Sequence, residues 1–560
     1  MVNLHIFTIF VVNLYNALMF LKINKNKSGS YARIVESYRD KDGKPKHKTI
    51  SNIGNIKNFG TDKIIELADS LLKFANITEY NLKEDLQELG RYNYGLFLVV
   101  DKILTKIGLK SLFQKIGSSN KSIDIYNTVL LMLMERFRKP SSKLATYNNQ
   151  FKYLNLKNSN IPLSHLYRSL DKLATDSGEI KKRLNNSKKE LKTNCDIVFY
   201  DVTTFYFDSQ KDIEGSLRQK GFSKDGKLGK TQVVMGLLID KNQIPIDYFL
   251  YSGDTYEGGT LLDAIDSLKK KYKIDKSVIV TDTGMMSSSN INNIESITDY
   301  SYIIGERYKS LPKKLKYLYL DISNYKLSVK LLDKSSGEEI GMKYFEYDYK
   351  EKGKRLIFTY SEKRAKKDKA DREKRIEQAL KLLQNPSLIS KKESSYYLKQ
   401  KSSKVYELDI ERIEISRKYD GLCCIASNNK DLGVREILTN YKELYKIEHS
   451  FRSMKSYLET RPMYHWTDKR ISGHICLCFI SYYILRYLQR KLELESTIQS
   501  EREIRTSLIS MEVSHIESIS NRYYLTSKNT REISEILNVL QIKKLPKFIP
   551  EILINKYMST

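Results

Sequence analysis

The chain is poor in residues that stiffen, cross-link or ligate. Its 560 residues include nine Pro, one Trp, five Cys and seven His. Cys195, Cys423, Cys424, Cys476 and Cys478 form no Cys-x-x-Cys pair and are odd in number. That argues against a disulfide framework or a zinc site and suits a reducing compartment. The histidines are scattered, and no His-Glu-x-x-His is present, which removes the zincin class. No repeat period is apparent, so a solenoid is not expected. Acidic residues are also short: 96 Lys and Arg against 67 Asp and Glu leave +29.

That excess favours a polyanionic partner, because each neutralised phosphate releases counterions. The abundance of Lys, Asn, Ile and Tyr fits an A+T-rich coding sequence equally well, so charge alone leaves both readings open. With 41% apolar residues the chain can bury sizeable cores, and its length predicts three or four domains. Residues 4–21 are apolar enough to resemble a membrane span. However, His5, Asn13 and Asn16 interrupt the run, and it lacks the cationic start of a signal peptide. The preferred reading is an extension upstream of a working start at Met19, with a membrane anchor as the alternative. The cysteine usage leads to the expectation of a cytosolic location.

Periodicity divides the rest. Residues 1–18 are the extension. Residues 19–59 predict a small β element, with Asp40-Lys41-Asp42-Gly43 as its turn. Residues 60–192 read as helical, from amphipathic runs such as 61–75 and 123–137. A helix pair at 142–175 is either a DNA-reading element or a packing domain. Residues 193–307 predict an α/β core in the order β-β-β-α-β-α-β. Residues 308–418 read as a β-rich insertion with one highly charged helix. The core resumes at 419–490 and a helical region, 491–560, ends the chain. The apolar run 473–492 approaches membrane length, but it carries His474, Arg486 and Arg490 and reads as a core helix.

Three acids stand out by position. Asp201 lies within the first core strand, Asp282 ends the strand Ser277-Val278-Ile279-Val280, and Glu448 lies on a later helix. Residues 441–458 fit one helix with two stripes at about 100° per residue. Leu444, Ile447, Phe451, Met454 and Leu458 form the apolar stripe; Tyr441, Tyr445, Glu448, Arg452 and Lys455 form a polar one. In α/β sheets, sites form at strand carboxyl ends. Three carboxylates gathered there repel one another unless divalent cations bind them. Mg²⁺ or Mn²⁺ fits such an oxygen set, and two ions with Asp201 bridging them, Asp282 and Glu448 each holding one, suit phosphoryl transfer.

Four blocks carry a family resemblance: Tyr200-Asp201-Val202-Thr203-Thr204; 221–226 with 232–238; Val280-Thr281-Asp282-Thr283-Gly284-Met285; and 441–455. In this order they resemble bacterial DDE transposases of the insertion-sequence-4 superfamily, most closely the insertion-sequence-1634 type. The resemblance implies a ribonuclease-H-like mixed sheet with a β-rich insertion and a mainly helical N-terminal region. It implies Asp201, Asp282 and Glu448 as catalytic, metal-holding acids. It also implies partners: double-stranded DNA, as terminal inverted repeats and target, and a second copy of the chain in the synaptic complex. The family's helix signature is matched at Tyr441, Glu448 and Lys455. Its Arg position holds Leu444, and Arg452 is expected to supply the guanidinium. Tyr441, Arg452 and Lys455, with Lys224 of the Ser223-Lys224-Asp225 block, are the expected DNA contacts. The family's hairpin step stacks a base on an insertion Trp; the one Trp here is Trp466, outside the insertion, with Tyr396 and Tyr397 as substitutes. A nuclease without strand transfer, or an inactive DNA-binding descendant, is the alternative function.

Overall fold

The computed structural model describes residues 18–26, 29–42, 44–55, 70, 86–118, 123–208, 211–221, 230–285, 287–297, 299–307, 311–333, 337–384, 395–402, 405–461, 463–518 and 521–558. The proposed extension therefore lies, except for Leu18, outside the described residues, as do Lys224 and nearly all of the amphipathic run 61–75. The chain divides into two units, Met1–Glu88 with Ile516–Arg522, and Leu89–His515 with Tyr523–Thr560.

In the first unit, β1 (Leu18–Asn26), β2 (Gly29–Arg39) and β3 (Pro45–Asn55) form an antiparallel sheet in that order. Asp40, Lys41 and Asp42 of the turn expected from the sequence lie between the antiparallel partners β2 and β3. Asp40 organises it, accepting from Asp42 N at 3.1 Å and Lys44 N at 2.9 Å.

The second unit opens with helices α1 (Gly95–Lys106), α2 (Leu109–Ser118), α3 (Ile125–Arg138), α4 (Lys143–Asn149), α5 (Leu163–Thr175) and α6 (Ser177–Asn186). The core follows: β4 (Ile197–Tyr206), β5 (Thr231–Asp240), β6 (Pro245–Ser252), α7 (Leu261–Asp266), β7 (Ser277–Thr281), α8 (Ser288–Glu295) and β8 (Tyr300–Gly305). The sheet runs β6-β5-β4-β7-β8. β4, β5 and β6 are antiparallel neighbours, while β7 and β8 run parallel to β4. This is the ribonuclease-H-like order that the sequence predicts.

Residues 308–418 do two things. β9 (Leu327–Asp333), β10 (Glu338–Tyr349) and β11 (Lys354–Tyr360) extend the same sheet, because β11 pairs with a later strand lying against β8. Helix α9 (Glu362–Leu383) and the hairpin β12 (Leu398–Ser402) and β13 (Val405–Leu408) enclose a small core of their own around Ala379, Tyr397, Leu398 and Ile413. The later strand is β14 (Leu422–Ser427).

α10 (Val434–Lys442), α11 (Tyr445–Arg452), α12 (Asp468–Leu494) and α13 (Glu501–Ser510) complete the elements that bear on the site. α12 is long and apolar enough to span a membrane, yet 94% of its most apolar window is buried in protein. α5 packs on it so closely that a Cβ at Gly473 would lie 2.0 Å from Leu170 O. The sheet separates two cores. Phe199, Val280, Ile303 and Ile425 face a core shared with α1–α6, α11 and α12, whereas Val198, Ile279, Ile304 and Ala426 face one shared with α7.

Two expectations are corrected. Regions 60–192 and 491–560, read as helical, also hold strands, Gln87–Asn93 in the first and Glu512–Glu517, Arg522–Thr526 and Phe548–Pro550 in the second, where β-branched and aromatic residues recur. The single helix predicted through 441–458 is broken after Lys442 and becomes a π-turn at Ser453–Tyr457. At the break, bonds shift to Lys446 N→Glu443 O at 2.9 Å and Ile447 N→Leu444 O at 3.1 Å. Tertiary contacts decide this. Lys446 Nζ reaches back to Lys241 O at 2.6 Å, and Tyr457 OH donates to Glu501 O at 2.7 Å.

Candidate active site

Register places the two aspartates side by side. β4 and β7 pair as Ile197 with Val278, Val198 with Ile279 and Phe199 with Val280, a constant offset of 280 − 199 = 81. Since 282 − 201 is also 81, Asp201 and Asp282 stand at one level of adjacent parallel strands, just past their last paired residues. Strand alternation puts both on the face of Phe199 and Val280, and that face is the one α11 covers with Ile447 and Phe451. Glu448 lies on α11 between two lysines that mark its path over β4: Lys446 Nζ is 5.9 Å from the Phe199 ring centroid, and Lys455 Nζ is 6.0 Å from that of Phe205. Asp201, between those rings, is half-buried, and Asp282 and Glu448 are exposed.

Among the described residues neither Asp282 nor Glu448 is in an ion pair, and no three His, Cys, Asp or Glu side chains close round an ion. The donor chemistry nevertheless fits a hard divalent cation. All three groups are carboxylates, with no thiolate or imidazole among them.

Tyr441 reaches the site from a different helix than expected. α10 wedges its ring against β8, where a Cβ on Gly305 would lie 2.4 Å from both the Tyr441 hydroxyl and Thr283 Oγ1. Burial, then Cys423 and Asp282, push the Tyr441 hydroxyl well above the usual range, while its hydrogen bond with Thr283 opposes them. The hydroxyl is thus neutral and engaged at the end of β7, one residue from Asp282. Gly305→Ala is expected to displace both groups. Cleavage should fall about tenfold or more, with a destabilisation of roughly 1–3 kcal/mol read by thermal melting. Unchanged cleavage would show that the wedge does not position Asp282.

Leu444 packs on the core as a partly buried apolar residue, so no guanidinium is supplied there. Arg452 instead lines a cavity of about 580 Å³ on the flank of α11, shared with Arg502, Arg505 and Glu501 of α13. The guanidinium near Tyr441 is Arg364, from the first turn of α9, which interacts with Cys423 as well. α9 is fixed over the start of β14 by Gly421 N→Asp368 Oδ2 at 3.0 Å and by the paired Arg372 and Asp420. Nothing in the local sequence of the helix signature points to Arg364, which arrives from 84 residues before Glu448 (448 − 364).

Lys455, in the π-turn, is half-buried over Phe205. Arg136 holds the end of this segment, donating to Leu458 O at 3.1 Å and Glu459 O at 3.2 Å. Of the tyrosines offered for base stacking, Tyr397 is buried with its hydroxyl 2.9 Å from Ser416 Oγ; Tyr396 is exposed beneath Arg412.

Sheet order and strand direction define a ribonuclease-H-like core with acids at its strand ends. The transposase DDE domain matches residues 195–484, and the N-terminal domain of IS1634 family transposases matches residues 21–85. The chain belongs to the DDE transposases, of the IS1634 type. No curated protein matches it. Among solved structures it is similar to the Mos1 transposase paired-end complex with the left transposon end, at 9% identity and a TM-score of 0.15, covering 44% of this chain and 69% of that one.

Proposed function

We propose that this transposase cuts the ends of its insertion sequence and joins them to target DNA, with Asp201, Asp282 and Glu448 as the catalytic acids. One observation carries the reading: Asp201 and Asp282 share a level and a face of adjacent parallel strands, beneath the helix bearing Glu448. The three carboxylates would hold divalent cations, Mg²⁺ or Mn²⁺ and two in number, which when bound activate the attacking hydroxyl and stabilise the leaving oxygen.

The residues around them position the strand. Tyr441 fixes the end of β7 behind Asp282, and Lys455 and Arg452 supply positive charge along the helix that carries Glu448. Contacts of this kind set the register of a DNA strand without reading its sequence. Water attacks first and frees 3′ hydroxyls at the element ends; those hydroxyls then attack target phosphodiesters. Residues 19–192 recognise the terminal inverted repeats, and two copies of the chain hold the two ends. The work takes place at the bacterial nucleoid.

Strand transfer is tested with pre-cleaved ends bearing 3′ hydroxyls, supplied with plasmid target. Joined products are expected. Cleavage of intact ends without any joined product would assign the chain to the nucleases instead. The DNA flanking the gene gives an independent check, since inverted repeats are expected on both sides of it.

A further inference from the structure

At the far end of β4, beyond Asp201 and on the same face, a guanidinium is buried with no anion beside it among the described residues. Arg218 is 1% exposed. Its central carbon lies 4.7 Å from the Phe207 ring centroid and 4.2 Å from that of Trp466, so the plane is held between two rings. Among the described residues, Nε and Nη2 have no hydrogen-bond partner. These two atoms carry the parallel N–H pair of the side-on fork, the edge that binds carboxylate or phosphate in bidentate fashion. A buried cation with that edge unfilled is costly, and desolvation holds its pKa below the ordinary arginine value.

The chain assembles this stack from three segments. Phe207 follows β4 and bridges in parallel to Met463, whose N–H donates to Tyr206 O at 3.2 Å. That brings Trp466, from the segment after the Glu448 helix, to the end of the strand. Arg218 enters from the connection between β4 and β5, where Leu217 N donates to Asp468 Oδ1 at 3.1 Å. The neighbouring rings carry cations too. Lys455 lies over Phe205, and Arg461 and Lys230 lie 5.3 Å and 5.5 Å from the Tyr206 centroid. Three consecutive aromatic residues therefore each face a cation, and Trp466 keeps 51% of its surface open. Phe205 and Phe207 are buried and Tyr206 lies on the opposite face, so Trp466 supplies the open ring beside these cations, a face on which a base of a single strand can stack.

We propose that this end of β4 binds the backbone of the DNA strand leaving the acids, with the Arg218 fork donating to one of its phosphodiester groups. At roughly 3.3 Å per residue, six residues place Phe207 roughly 20 Å from Asp201 along the strand, so the contact falls a few nucleotides from the cut. The proposal rests on the DNA reading above, and its distance from the cut rests on the assignment of Asp201.

The test is the salt dependence of DNA binding by full-length wild type and Arg218→Met. The probe is a duplex of about 40 base pairs with a single-stranded 3′ overhang, titrated over a range of KCl; thermal melting runs in parallel. Met fills the gap between the rings without charge. The variant should melt at or above the wild-type temperature. Its affinity should fall about tenfold and the slope of log K against log salt by about 1. Arg218→Lys should keep the slope while losing part of the affinity, because a point charge replaces the fork.

A variant that melts lower yet binds with the wild-type slope makes Arg218 a pin for Trp466 and overturns the proposal. If Arg218→Met does not fold, Arg218→Gln must show the same drop in slope, and a wild-type slope there is equally fatal. Stabilisation of wild type by millimolar inorganic phosphate, with an unchanged DNA slope in the variant, assigns the fork to a free anion and also overturns it. Wild type that binds no DNA would sink the transposase reading instead.

Discussion

Asp201→Asn, Asp282→Asn and Glu448→Gln are each expected to lower Mg²⁺-dependent cleavage of element ends by at least about 10³-fold while binding of those ends stays equal or tightens. Each amide keeps the shape of the acid and much of its hydrogen bonding but removes one negative charge. If the three groups together hold the cations, no pair suffices, and each single loss should be nearly total. Binding responds in the opposite sense. Carboxylates at the strand ends repel phosphate, so neutralising one removes an unfavourable interaction within a chain of net charge +29. End cleavage followed on gels and binding followed by mobility shift separate the two effects. Full cleavage by Glu448→Gln would exclude it from the site. A parallel loss of cleavage and binding would instead point to misfolding.

The second large effect is on stability. Lys143, at the start of α4, is 5% exposed. Its pKa is brought down to about 7, first by burial and then by Arg136, with Cys478 opposing. In the unfolded chain it titrates near 10.5. Unfolding therefore takes up a proton between those values, and the unfolded state is favoured as pH falls from 10.5 towards 7. The difference, 10.5 − 7 = 3.5 pH units, corresponds to a native-state cost on the order of 4 kcal/mol at neutral pH. Lys143→Met should abolish that cost. The variant should outlast wild type in denaturant at pH 7, and its advantage should shrink steadily up to about pH 10.5. Equal stability at pH 7 would show that Lys143 finds water or a partner. The histidines beside it do not confuse the window: His465 is pushed down to about 3 and His474 well below its usual value, so both are neutral throughout.

Much of the core was legible from periodicity. The alternation around Asp201 and the short buried strand ending at Asp282 predict the succession of strands and helices along the chain, while the order of strands within the sheet was implied by the family resemblance. The β2–β3 turn was legible as well, because Asp40 makes its bonds within the loop. What was misread was the helix around Glu448. A sequence window sees only local spacing, and a straight helix is its simplest solution. Here Tyr441 is drawn to Gly305, Lys446 to Lys241 and Tyr457 to Glu501, and these distant partners break the helix at one end and unwind it into a π-turn at the other. Arg452, one turn after Glu448 on α11, lines the cavity shared with α13. Arg364 was invisible because its place depends on how α9 is fixed to β14.

The sequence by itself determined the donor set that the proposed chemistry uses: three carboxylates at strand ends and on a helix, in a basic chain without thiolate or histidine ligand patterns. Local alternation and residue type settle those features, and both survive without long-range information. Only the tertiary structure decided which cations and aromatic rings accompany the acids. The matching offsets of β4 and β7, the wedge at Gly305 and the buried Arg218 between Phe207 and Trp466 each join segments far apart in the chain. Such contacts follow from packing, which no single stretch of sequence contains.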